Sequence, residues 1–265
     1  MSTDPTDPGP RLVELTFGDE HRVAVLRVDA APGNVLTPPL MEEVMAALDV
    51  FEAREGRVLI VGSAVPGVFV LGGDVEHVVD GGAARFVSYM HAQRELLDRL
   101  DGLEATTIAA IDGTATGGGL ELALACTIRV AARGSRLGLP QVRLGVIPVG
   151  GGTQRLPRIV GRGRALDLLV TGRTVDVDEA YEMHLIDRRA DAGEAIAVAG
   201  TMAAQIARAS GPAVRAARRA ADAAGSDSFP HGMAVEAREA LALFERGEAR
   251  EGLSAFLDDR RPDFA

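Results

Sequence analysis

The stretch that most restricts the fold is Thr107-Ile-Ala-Ala-Ile111, which runs into Gly113-Thr-Ala-Thr-Gly-Gly-Gly119 and then Leu120-Glu121. A short run that is apolar without alternation reads as a buried strand. The glycines that follow permit a tight turn and close backbone approach, and Leu120-Glu121 opens a helix. Strand, glycine turn and helix in that order specify an α/β architecture.

The rest of the chain extends this pattern. Leu12–Phe17 and Val23–Val28 read as strands around the turn Gly18-Asp-Glu, and Ala31-Pro-Gly-Asn34 forms a loop. Thr37 precedes a helix whose Leu40, Val44, Ala47, Leu48 and Phe51 share one face. Arg57–Gly62 is a strand, 63–74 a loop and 83–101 a helix; short strands are expected near 127–132 and 136–138, and a helix after Gly152. From about 161 onward the pattern is helical, ending in an amphipathic stretch with Leu241, Phe244, Leu253, Phe256 and Leu257. The predicted organisation is a disordered lead-in over 1–10, an α/β core over 11–200 and a helical C-terminal lobe over 201–265 suited to oligomerisation.

Composition excludes several functions. The net charge of −10 opposes attraction to nucleic acid or an anionic membrane, and aromatic residues at 4% are too few for base-stacking platforms. Lys is absent, so all 28 basic residues are Arg; Schiff-base, pyridoxal and P-loop chemistry fall together. Cys126, the single cysteine, sits in the apolar run Leu122–Cys126 and reads as a buried structural thiol. The polar, Pro-rich start lacks a signal-peptide pattern, and no apolar run is long enough for a membrane span, so a cytoplasmic location is expected. The five His residues show no metal-ligand spacing, and no metal is expected.

Two glycine loops carry the chemistry. Phe69-Val-Leu-Gly-Gly-Asp74 and Gly117-Gly-Gly-Leu-Glu121 each follow a strand. If one free N–H from each met at a carbonyl oxygen, they would form an oxyanion hole. Taken singly, each favours the plainer reading of a tight strand-to-helix turn. Neither has dinucleotide-binding spacing, and Gly150-Gly-Gly-Thr-Gln-Arg155 lacks the P-loop Lys.

Gly72-Gly-Asp74, Ala109–Ala123, Gly145–Leu156, the loop ending in Asn34 and the closing Glu251–Phe264 together resemble the motifs of the crotonase (enoyl-CoA hydratase/isomerase) superfamily, in order, from about residue 12 to 264. The resemblance implies a spiral of ββα units with a C-terminal helical lobe, assembled as a homotrimer or dimer of trimers. It implies an acyl-CoA substrate, with coenzyme A entering as part of that substrate and no separate cofactor. The oxyanion donors would be the N–H groups of Gly73 and Gly118, with Glu121 as a catalytic carboxylate and Leu71, Gly72 and Asp74 beside the substrate.

The chain departs from the family pattern at the second catalytic carboxylate, where Gly138-Leu-Pro-Gln141 places Gln141. Glutamine orients a water but exchanges no proton with it. Without a carboxylate neighbour, Glu121 is expected near ordinary glutamate acidity. The expectation is an enolate-stabilising enzyme with Glu121 as its proton-transfer residue; the alternative is an altered-chemistry acyl-CoA protein (isomerase, decarboxylase or hydrolase) or a non-catalytic binder. His77 and His91 flank the segment that would cover the pocket and are candidate proton donors or plain surface residues. Ala31, Glu76 and Asp259 stand where family members often carry Lys toward the CoA phosphates; Arg260 and Arg261 are either substitutes or tail charges.

Overall fold

A computed structural model describes residues 11–18, 22–226 and 228–264. The expectation of a disordered lead-in over 1–10 lies outside these residues. Strands β1 (Val13–Phe17) and β2 (Val23–Val28) pair antiparallel, and β2 buries Ala24, Leu26 and Val28 at every second position. Helix α1 (Pro38–Ala53) starts where the Thr37 hydroxyl accepts the Leu40 N–H at 3.3 Å, with proline in the first turn. It buries Leu40, Met41, Val44, Leu48 and Phe51 as one face.

A strand–strand–helix unit then occurs three times. Strands β3 (Val58–Ser63) and β4 (Val68–Val70) lead to α2 (Val75–Asp101); β5 (Thr106–Ile111) and β6 (Thr114–Thr116) lead to α3 (Gly118–Leu124). Strands β7 (Ile128–Ala132) and β8 (Arg136–Gly138) lead through a 3₁₀ turn, Pro140–Leu144, to α4 (Gly152–Val160). Then follow α5 (Arg162–Thr171), β9 (Thr174–Val175), α6 (Val177–Glu182), β10 (Arg188–Ala190) and α7 (Ala195–Ala207). The five longer strands and the three-residue β10 form one sheet in the order β1-β2-β3-β5-β7-β10, parallel from β2 onward. The short strands form a second, β4-β6-β8-β9, parallel except at β8–β9. Strand β5 is buried along its whole length, which is why its sequence does not alternate.

The chain divides into two compact units, one running to Thr201 and one beginning at Met202. The second comprises the end of α7, then α8 (Gly211–Ser226), α9 (Phe229–Glu245) and α10 (Glu248–Leu257). Within it α9 packs on both α8 and α10.

Four short strands and one helical segment differ from the sequence expectation. The segments read as loop and glycine turn contain β4 and β6, and the region read as helical contains β9 and β10. Strands of two or three residues are too short to display a period. Helix α2 begins at Val75 and is interrupted at Gly82 (φ 63, ψ −161), where the sequence reading began its helix at 83.

Candidate active site

The loop after β4 is fastened to the loop before α1. Leu71 N–H donates to Gly33 O at 3.0 Å and Leu36 N–H to Gly72 O at 2.9 Å. Asn34, fully buried, donates to Ser63 Oγ at 2.7 Å and Phe69 O at 2.9 Å, and its Oδ1 accepts the Ala30 N–H at 2.8 Å. Gly72 has φ 137, a conformation side chains rarely adopt. The Tyr89 hydroxyl donates to Leu36 O at 2.7 Å and accepts the Asp74 N–H at 3.1 Å. Asp74 in turn caps α2 by accepting the His77 N–H at 2.9 Å.

The second loop turns at Gly117 (φ 55, ψ −125) and enters α3 at Gly118. A Cβ on Gly119 would lie 1.9 Å from Val70 O, so only glycine admits this packing of α3 on β4. The two loops touch: a Cβ on Gly72 would lie 3.9 Å from Gly118 N, and one on Gly117 would lie 3.6 Å from Gly72 Cα. Among the described residues, neither the Gly73 nor the Gly118 N–H donates to a protein acceptor.

Glu121 lies one turn into α3 and is 1% exposed. Its Oε1 accepts the Gly152 N–H at 2.9 Å, and its Oε2 lies 3.3 Å from Gln93 Nε2 and 3.5 Å from Gln141 Nε2. Burial pushes the carboxyl up to about 6, against the lowering effects of the Gly152 and Gly150 N–H groups, the Gln93 amide and the Arg155 charge. This corrects the expectation of ordinary acidity: desolvation alone raises proton affinity, with no second carboxylate required.

Leu71, Gly72, Gly73, Asp74, Gly118, Glu121 and Gln141 all line one cavity of about 270 Å³. The sequence-selected residues from both glycine loops and the 3₁₀ turn are therefore brought together. The two histidines are not among its lining residues: His77 is half-buried with its ring 6.2 Å from that of Tyr89, and His91 is exposed. Cys126 is buried, with Sγ 3.6 Å from Leu122 O and its thiol pushed up to about 12 by burial, as a structural thiol should be. In the second unit Arg260 is held by both Glu251 carboxylate oxygens at 2.7 and 3.0 Å, so its charge is already paired.

The sequence model of the enoyl-CoA hydratase/isomerase family matches residues 18–265. A probable enoyl-CoA hydratase of Bacillus subtilis is 35% identical over 252 residues, covering 94% of this chain and 98% of the relative. The mitochondrial methylglutaconyl-CoA hydratase of Mus musculus is 35% identical over 253 residues, 93% of this chain and 81% of that protein. Among solved structures, an enoyl-CoA hydratase from Bacillus anthracis superposes with a TM-score of 0.91 at 30% identity, covering 96% of this chain and 99% of that one. The chain belongs to the enoyl-CoA hydratase/isomerase family.

This crotonase-superfamily chain therefore has the ββα architecture expected from its motifs and is an acyl-CoA enzyme by family. Among the described residues no helix is long and apolar enough to cross a membrane.

Three residues of this family member's site escaped the sequence reading. Tyr89 and Gln93 lie one helical turn apart on α2, on the buried face that also carries Leu96, Leu97 and Leu100. Gln93 is 2% exposed. A glutamine in register with leucines was the available signal, since a buried amide requires a polar partner. Arg155 donates to Gly150 O at 2.9 Å and is anchored by Asp98 at 2.9 Å and Asp101 at 3.1 Å. It thereby secures the turn whose Gly152 N–H binds Glu121.

Proposed function

We propose that this family member shifts a double bond within an acyl-CoA thioester, with Glu121 as its one proton-carrying group. The observation carrying this reading is a buried carboxyl near pH 6 in the same cavity as two contacting glycine loops whose Gly73 and Gly118 N–H groups lack protein acceptors. The thioester oxygen would accept from both amides. Glu121 would remove a proton from C2 of a 3-enoyl thioester, and the electron pair would move onto that oxygen as a dienolate. The same carboxylic acid would then protonate C4, leaving the 2-enoyl product with no water consumed. A carboxyl titrating near 6 both accepts and returns a proton efficiently near neutrality. Gln141, donating to the carboxylate, orients it without competing for the proton.

Hydration of a 2-enoyl thioester is the second reading, favoured by the hydratase names of the relatives at 35% identity. There Glu121 would take a proton from water as oxygen joins C3, then deliver it to C2. The test is turnover of matched 3-enoyl- and 2-enoyl-CoA thioesters by wild type and Glu121→Gln. Faster 3-enoyl turnover that depends on Glu121 supports the isomerase reading; faster hydration selects the second. Turnover equal in the variant removes Glu121 from the chemistry.

The proposal includes self-association as a trimer or dimer of trimers. Phe229, Phe256 and Leu257, each more than four-fifths exposed in the second unit, support it, and light scattering on purified protein tests it.

A further inference from the structure

Away from its glycine loops and carboxylate, the cavity is walled by hydrocarbon. Val75, Val78, Val79 and Phe86 face it from α2, opposite Leu144 and Ile147. Its ionisable lining residues are Asp74, Tyr89 and Glu121; among the described residues no Arg or His lines it. Three nearby guanidinium groups already have protein acceptors. Arg94 reaches Val149 O at 3.5 Å, Arg143 reaches Thr171 O at 3.2 Å, and Arg155 is held by Asp98 and Asp101.

A methyl group placed against these walls gains from leaving water. A carboxylate there would forgo that gain, find no cation among the lining residues, and share the cavity with two acidic side chains, Asp74 and Glu121. Resting on the acyl-thioester reading above, we propose that the acyl group selected by this chain is uncharged and apolar to its end. Thioesters of dicarboxylic acids, the methylglutaconyl type included, are rejected, although a relative at 35% identity is named for that substrate. Val79 and Ile147 are the specificity-determining positions. Both line the cavity and, at 71% and 65% exposed, leave room for a longer charged side chain.

The experiment measures calorimetric binding of three saturated thioesters that need no turnover: pentanoyl-CoA, glutaryl-CoA and the neutral methyl ester of glutaryl-CoA. Pentanoyl-CoA and the ester are expected to bind comparably and glutaryl-CoA about tenfold or more weaker. The variant Ile147→Arg, verified as folded by circular dichroism, is expected to narrow that gap by strengthening glutaryl-CoA binding. Glutaryl-CoA binding as tightly as pentanoyl-CoA overturns the proposal. Equal weakness of glutaryl-CoA and its ester also overturns it, because size rather than charge would then govern. A folded Ile147→Arg protein with an unchanged gap overturns the assignment of position 147. Failure of all three thioesters to bind overturns the acyl-thioester reading itself, which separates the two failures.

Discussion

The Gln93 side-chain amide lies 3.3 Å from Glu121 Oε2, joining the buried face of α2 to the carboxylate at the start of α3. With Gln141 on the same oxygen and the Gly152 N–H on the other, the carboxylate has donors on both atoms. Gln93→Leu removes one of those donors without adding charge. Its carboxyl should titrate higher, so the acid limb of kcat against pH should move upward while KM changes little. A fall in kcat with an unmoved limb would assign Gln93 to packing alone.

Glu121 links activity and stability to pH in opposite senses. Activity that needs the carboxylate should fall on the acid side of about pH 6. Burial raises the folded value above the ordinary 4.5, so this residue's share of stability is fully present below 4.5 and is lost as pH rises through 6. Glu121→Gln should therefore abolish most turnover, by about 10² or more, yet be more stable than wild type at pH 8 by up to roughly 2 kcal/mol. Urea denaturation at pH 5 and pH 8 checks the sign.

Tyr89→Phe deletes the hydroxyl that bridges Leu36 O and the Asp74 N–H. One buried and one part-buried backbone group lose their partner, at about 1–3 kcal/mol. Because Asp74 adjoins Gly73, kcat should fall together with stability; thermal melts and steady-state kinetics on one preparation test both.

Gly119→Ala should be among the most destructive single-methyl changes in the chain. The new Cβ would meet Val70 O at 1.9 Å, a backbone atom that cannot turn aside. Loss of soluble folded protein is expected, whereas Gly163→Ala, with open space around it, should express normally.

Arg155→Met tests the support beneath the carboxylate. It frees Gly150 O and takes the Arg155 guanidinium away from Asp98 and Asp101 while leaving the cavity lining untouched. A raised pKa on the activity profile is expected, since both the turn that presents the Gly152 N–H and a favourable charge are weakened.

The sequence disclosed the glycine loops, Glu121 and Gln141 because their chemistry is local: each depends on a turn or a motif within a few residues. It disclosed the long strands and α1 through their periods. Gln93 and Arg155 were illegible because their partners lie 28 and about 55 residues away, and nothing local marks an amide that will meet a carboxylate. The raised acidity constant of Glu121 is not legible locally for the same reason, since burial is set by how α2, α3 and the turn before α4 close around it.

The break at Gly82 divides α2 into a front piece bearing Val75, Val78 and Val79 and a rear piece bearing Tyr89 and Gln93. Helical cooperativity does not propagate through a residue at φ 63. The two pieces are therefore separate runs of helical hydrogen bonding. The valine wall of the cavity and the amide that meets the carboxylate are consequently carried on different helical pieces, so a substitution in one need not pass through the other.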